Sequence, residues 1–380
     1  GDVIEGTDAI FTVLLSNPVQ EAVVVNLKST TNDSYTAEDV DLGTMVVTYV
    51  DTHGQTQTLD IARNGDVTIP PGVAEIKVAV PTKLDNVHEG DESFGLTVTE
   101  IGSVTSNGIA TGNANIVDSD PAPLVSISAD QNSVNEGETA GFTLTLDKVA
   151  DESVTVHVEY SGVAQDGKDF VGVLSVEVPA GQSSAALDLL TVTDGIYEGA
   201  ESFTVTIKEV DGADASIASN NSASVVIVDA QSAPKVTISS DQPSVDEGSD
   251  AKFIVNIDQK ADEDVLVTFT IGGNVDDKDY IAPSTYTVTI PAGKTSAPID
   301  IKTLDDGIYE DLENLTVTLI DTVGADSTLA SDSNEATVSI IDAQHAPEFI
   351  SDGDSAGDKP NDDVYDFGSV NENTVSGSVI

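Results

Sequence analysis

The chain has 380 residues, 67 of them acidic against 14 basic, for a formal net charge of −53, and it contains no cysteine. This balance excludes nucleic acid and anionic membranes as partners, since both are held by basic patches, and it leaves no disulfide or thiolate metal site to hold the fold. Hydrophobic residues make up 39% and alternate with polar ones in short runs, so a disordered acidic chain is excluded too.

Along the chain, the first marker is Val3-Ile4-Glu5-Gly6, which returns as Val134-Asn135-Glu136-Gly137 and as Val245-Asp246-Glu247-Gly248. Next come residues 46–50 and 56–61, joined through Thr52-His53-Gly54, whose residue types and turn predict a β-hairpin. The other copies lack it: 46 positions separate Asp39 from Asp85, against 25 from Asp169 to Asp194 and 27 from Asp279 to Asp306. The hairpin reads as a lengthened sheet edge in preference to a binding loop. The turn Pro70-Pro71-Gly72 recurs as Pro179-Ala180-Gly181 and Pro291-Ala292-Gly293. A second marker, Asp85-Asn86-Val87-His88-Glu89, returns 109 residues on as Asp194-Gly195-Ile196-Tyr197-Glu198, and 112 further as Asp306-Gly307-Ile308-Tyr309-Glu310. Recurrence at this interval means an array of like modules.

In the second copy, residues 125–128, 142–146, 154–158 and 203–207 alternate apolar and polar with period two, as half-buried antiparallel strands require. Valine, threonine and isoleucine dominate, and no helix-period segment appears. About seven short strands in roughly 110 residues predict an all-β immunoglobulin-like sandwich. The boundaries expected are 1–120 for a first module with the extra hairpin and a truncated first strand, 121–231 for a second and 232–344 for a third. Short proline-bearing junctions (Asp118 to Pro123, Asp229 to Pro234, Asp342 to Pro347) should set the modules end to end. Residues 345–380 are expected to be a linker and the start of a further β-module, opening near Val364-Tyr365-Asp366-Phe367. Within them, Asp352, Asp354 and Asp358 partly match a calcium loop. Ala356 stands where its third ligand belongs, so an acidic linker is the favoured reading. The chain begins at Gly1 inside a repeat, so it is expected to be a piece of a longer protein.

The carboxylates of the second copy, Glu136, Asp169, Asp194, Glu198, Glu201 and Asp229, fall at predicted strand ends and loops. Loops from distant parts of a sandwich meet at one end, where clustered carboxylates are unfavourable unless a cation lies among them. Hard oxygen ligands in number suit Ca²⁺; Mg²⁺ asks for stricter geometry, and zinc usually recruits histidine or cysteine. For any single aspartate, simple solvation of an acidic surface is the better reading. For a set repeated in register three times, calcium is. Catalysis finds no support: no serine–histidine–acid arrangement or phosphate loop is signalled. A glycosidase carboxylate pair is disfavoured on modules too small for a substrate cleft.

The succession of Glu-Gly, Asp before Phe170 or Tyr280, Pro-Ala-Gly, Asp-Gly-Ile-Tyr-Glu and a closing Ile-x-Asp resembles the Calx-β domain, a module named for sodium–calcium exchangers and frequent in large bacterial surface proteins. The resemblance is strong over 123–343 and looser over 1–120, where Val40 replaces the aromatic and His88 the tyrosine. It implies calcium held at one end of each sandwich, by Glu247, Asp279, Asp305, Asp306, Glu310 and Asp342 in the third copy. In the second it implies Glu136, Asp169, Asp194, Glu198 and Asp229, and in the first Glu5, Asp39, Asp85, Glu89, Asp118 and Asp120. Glu92, Glu201 and Glu313, three beyond the main glutamate, are expected to reach the same clusters. Thr193 and Leu84 stand where the third copy has Asp305, so weaker sites are expected in the second and first copies. One or two ions per module are expected, because the family's terminal aspartate triple is reduced to Asp-Ala-Gln in two copies.

The resemblance implies a non-enzymatic, calcium-stiffened extender of a giant secreted bacterial adhesin, similar to those of the RTX type. It would lie outside the cell and serve surface attachment and biofilm formation. Its partners would be calcium ions and neighbouring modules. The alternative is a module that grips a glycan or protein through the first hairpin or the terminal segment. No membrane insertion is expected, since no stretch is apolar for long enough.

Overall fold

The computed structural model describes residues 1–32 and 34–347. Among them the regular elements are strands, apart from one 3-10 turn at Asp39–Asp41. Two compact units are present, Gly1–Ser232 and one beginning at Ala233. The partial calcium loop at 352–358 and the strand expected near 364 lie outside the described residues.

The first unit contains two β-sandwiches. In the earlier one, a five-stranded sheet runs in the order Asp2–Ile4, Ile109–Val117, Glu92–Glu100, Val23–Thr30, Asp66–Ile69. It faces a four-stranded sheet ordered Asp8–Leu14, Glu75–Pro81, Val46–Val50, Thr56–Leu59. The hairpin forms as the sequence implies: Val47 pairs with Leu59 and Val50 with Thr56, and the hairpin extends the edge of the smaller sheet. Val47 is fully buried, so this edge contributes to the core. In the later sandwich, Ser133–Asn135, Ser222–Val228, Ala200–Asp211, Val154–Gly162 and Ser175–Val178 form one sheet, and Ser184–Leu190, Thr139–Leu146, Leu124–Ala129 and Ser216–Ile217 the other. The second unit repeats this order, with Lys235–Ser240 and Asp250–Ile257 at the centre of its smaller sheet and Glu313–Val323 in its larger one.

Period-two alternation sets which face is buried. In Asp250–Ile257, for example, alternate residues Ala251, Phe253, Val255 and Ile257 enter the core. With few aromatics the cores are mainly aliphatic, but the second copy stacks Phe170 on Phe203 at 4.2 Å, with Phe142 tilted beside them. Several parallel pairings depart from the purely antiparallel expectation. The marker strands Asp2–Ile4, Ser133–Asn135 and Ser244–Asp246 pair in parallel with the last strand of their copy. After each, a glycine at φ 76, 82 or 76 (Gly6, Gly137, Gly248) reverses the chain into the opposite sheet. The Glu-Gly marker is therefore a sheet-switching corner. It leaves its glutamate beside the end of the last strand, where Glu5, Glu136 and Glu247 donate their amides to Val117, Val228 and Ile341.

Within the first unit, Val87–His88 pairs in parallel with Val149–Ala150, so the second marker of the first copy is stitched to the next sandwich.

Backbone proximity predicts unequal costs for two glycine substitutions. At Gly273 (φ 111) an added Cβ would meet Asn314 O at 1.9 Å, whereas at Gly293 (φ 73) nothing lies within 4 Å. Gly293→Ala should destabilise by about 1 kcal/mol from the left-handed backbone alone, and Gly273→Ala by about 3 kcal/mol or more from added strain. Urea unfolding of the two variants checks this; equal losses would contradict it.

Candidate metal centre

Each copy brings three carboxylates to one end of its sandwich. They are Asp41, Glu89 and Glu92 in the first, Asp169, Glu198 and Glu201 in the second, and Asp279, Glu310 and Glu313 in the third. In each set one oxygen per residue lies within 4.8 Å of the others. The aspartate is the deepest member in the second and third copies, at 5% exposed in each, and in the first Asp41 and Glu92 are equally deep at 9%.

Local backbone fixes that aspartate. Its carbonyl accepts an amide from the chain just after the strand Glu75–Pro81, Ser184–Leu190 or Ser296–Lys302: Lys83 at 2.8 Å, Val192 at 2.9 Å and Leu304 at 2.8 Å. The residue after it bridges to a buried threonine, as Leu42 to Thr82, Phe170 to Thr191 and Tyr280 to Thr303. Its carboxylate also closes its own loop, accepting an amide from Glu38 at 2.5 Å, Gln165 at 2.7 Å and Asp276. These parallels correct the first copy's register. Asp41 occupies the position that the sequence assigns to Asp39, and Leu42, not Val40, stands at the aromatic's place. Asp39 is turned to Thr31, whose hydroxyl it accepts at 2.5 Å. The signal was present in the sequence, since a large apolar residue follows Asp41 as one follows Asp169 and Asp279. Val40, by contrast, is an exposed residue.

The two glutamates come from the second marker and from the start of the following long strand. Glu92, Glu201 and Glu313, three beyond the marker glutamate, join the clusters as expected. The marker loop is held by the terminal aspartate of each copy. Asp118 Oδ2 accepts the amides of Glu89 and Gly90, both at 2.9 Å. Asp229 Oδ2 accepts those of Glu198 at 2.6 Å and Gly199 at 3.1 Å, and Asp342 that of Glu310. Asp118, Asp229 and Asp342 therefore brace the marker loop. The early glutamates tie this loop to the junction: Glu5 accepts Asp85 N at 3.0 Å and Ser119 Oγ at 3.0 Å, and Glu136 accepts Asp194 N at 3.3 Å and Ala230 N at 3.2 Å. Glu247 likewise accepts Ala343 N at 3.2 Å. Asp194 and Asp306 close their own turns onto Ile196 N and Ile308 N. Asp305 accepts Gly307 N at 3.0 Å and the Gln344 amide at 2.8 Å, and it stands apart from the three-carboxylate cluster.

The first copy differs in two ways. A second cluster, Glu5, Asp85 and Asp120, lies within the same 4.8 Å limit. Its counterparts in the later copies carry neutral Gln231 and Gln344 in place of Asp120. The first copy thus gathers three further carboxylates although Leu84 stands at the pair position. Also, His88 replaces tyrosine and sets Nδ1 2.7 Å from Asp118 Oδ2 and 3.0 Å from Asp120 O.

Crowding of like charges shows in the acidities. Burial, then Asp41 and Glu89, push Glu92 up to about 8. Burial, then Asp41 and Asp85, push Glu89 up to about 7. Burial, then Asp279 and Glu310, push Glu313 up to about 7. Two negative charges about 5 Å apart repel by about 3 kcal/mol at an effective dielectric near 20, so such clusters gain from a proton or a cation. An all-carboxylate donor set is hard, which fits calcium better than zinc or copper.

The Calx-beta domain family profile matches residues 43–121, 118–231 and 229–344. No curated protein matches the chain in sequence. Among solved structures, the CBD12 tandem of CALX1.2 is similar at 15% identity, covering 57% of this chain and 99% of its own, with a TM-score of 0.26. The apo form of the Calx CBD1 domain is similar at 18% identity, covering 28% of this chain and 99% of its own, with a TM-score of 0.25. The I67–I69 fragment of titin is similar at 10% identity, covering 91% and 95%, with a TM-score of 0.20. With the family matched in three consecutive copies over most of its length, the chain belongs to the Calx-beta domain family.

Proposed function

We propose that each copy binds calcium in its three-carboxylate cage, and that the chain is a calcium-stiffened extender segment of a large secreted bacterial adhesin. The observation that carries the calcium reading is the convergence of one buried aspartate and two glutamates at the same place in all three copies. Family membership supports it, since Calx-beta domains bind calcium in sodium–calcium exchangers. The ion would neutralise the repelling cluster and lock the marker loop to the strand that follows. In the first copy that loop also carries Val87–His88, paired to Val149–Ala150 of the next sandwich, so calcium there would stiffen the joint as well as the module. The adhesin reading, with its place outside the cell and its role in surface attachment and biofilm formation, is supported by tandem repetition and the large acidic excess.

Calcium at about a hundred times its dissociation constant stabilises a single-site module by about 2.7 kcal/mol, which shifts melting by about 10 °C for a domain of this size. Calorimetric melts in millimolar calcium and in chelator should differ by at least that amount. Superimposable melts would exclude calcium from the cages.

The raised pKa values fix the pH dependence. Between the unfolded value near 4.5 and the folded values of about 7 to 8 at Glu89, Glu92 and Glu313, the folded chain binds more protons than the unfolded one. Stability without calcium should then fall as pH rises from about 5 to 8. Calcium competes with those protons, so its affinity should rise over the same window, and saturating calcium should flatten the stability profile. Melts at pH 5.5 and 8 in chelator check the sign; greater stability at pH 8 would contradict it.

A further inference from the structure

The second copy's cage already contains a positive charge. Lys168 Nζ stands 2.5 Å from Glu198 Oε1 and 3.5 Å from Asp169 Oδ1. A lysine precedes the buried aspartate of the third copy too, as Lys278 before Asp279. Among the described residues, however, no ammonium pairs with Asp279, Glu310 or Glu313. The two loops follow different paths: Gly167 takes φ 81, whereas Asp277 at the same place lies outside the left-handed region. In the first copy Val40 precedes Asp41, and the nearby Lys83 ammonium donates instead to the Val40 carbonyl.

A second difference acts in the same direction. Thr193 stands where the third copy has Asp305, so the second copy carries one carboxylate fewer at that loop, while its cage has the same three carboxylates and one cation more. Burial raises the pKa of Glu198, but Lys168 opposes the rise, and Glu92 and Glu313 have no such opposing cation.

We infer that the Lys168 ammonium is a built-in counter-ion of the second cage, doing there what the first and third cages leave to calcium. The second cage keeps its form without calcium, and it admits the ion only after the ammonium has been displaced. This rests on the calcium reading of the cages. An exposed lysine can swing into solvent at little cost, so the contact weakens calcium binding without abolishing it. The copies then differ in their calcium requirement: as calcium falls, the first and third lose their counter-charge while the second retains one.

Calcium titration calorimetry of the whole chain and of its Lys168→Gln variant tests this, together with melts of both in chelator and Lys278→Gln as the comparison. The expected result is that Lys168→Gln tightens the weakest class of calcium sites at least tenfold or admits one further ion. It should also lower one chelator melting transition by several degrees, and Lys278→Gln should do neither. In a chain that binds calcium, an isotherm unchanged by Lys168→Gln overturns the inference and leaves calcium in the other cages standing. If neither chain binds calcium, the calcium reading itself falls and the chelator melt decides. A lowered transition then supports the internal counter-ion, and an unchanged one overturns it.

Discussion

The end of each sandwich is organised around one buried aspartate facing two glutamates. Asp41, Asp169 and Asp279 are held from behind by backbone amides and by the bridge their following residue makes to a buried threonine. They cannot turn away to relieve the crowding. The glutamates are similarly constrained, because the marker loop is pinned by the terminal aspartate and the next glutamate opens a core strand. Like charges are thus forced together by a framework whose own stability comes from the aliphatic core. A cation is the natural complement of such an arrangement.

Much of the acidic set has a supporting role. Glu5, Glu136 and Glu247 and the terminal Asp118, Asp229 and Asp342 accept amide protons from the marker loop and the junction. Such charge-assisted bonds order the loops that carry the converging glutamates. Substituting a brace would disturb the cage indirectly, through loop position, while substituting one of the three converging carboxylates would remove a donor. In the first copy the same loop pairs with the next sandwich, so the geometry of the cage and that of the joint are coupled through Val87 and His88.

The fold was largely legible from the chain. Period-two alternation and recurring turns gave sandwiches, and the extra hairpin lies on the sheet edge, as its residue types implied. The parallel pairing of the marker strands was not, because strand direction depends on which sheet the Glu-Gly corner sends the chain into. The acidic residues that gather at one end of the two later copies were legible as a set, yet their division into converging carboxylates and braces depends on side-chain direction, which spacing does not carry. In the first copy the hairpin insertion removed the spacing that anchors the alignment, and two candidate aspartates lay two positions apart. Packing decided between them: Leu42 bridges to buried Thr82, while Val40 faces solvent. Lys168 is not legible from spacing, because its role depends on where a long, flexible side chain comes to rest.

On the proposed reading the buried aspartate is the seat of the ion. Equilibrium dialysis of the whole chain with calcium, comparing Asp41→Asn with Asp39→Asn, tests it directly, because the two changes remove the same charge two residues apart. Asp41→Asn should lower the calcium bound per chain, and Asp39→Asn should leave it unchanged. Loss of calcium on Asp39→Asn alone, or from neither variant, would contradict the account.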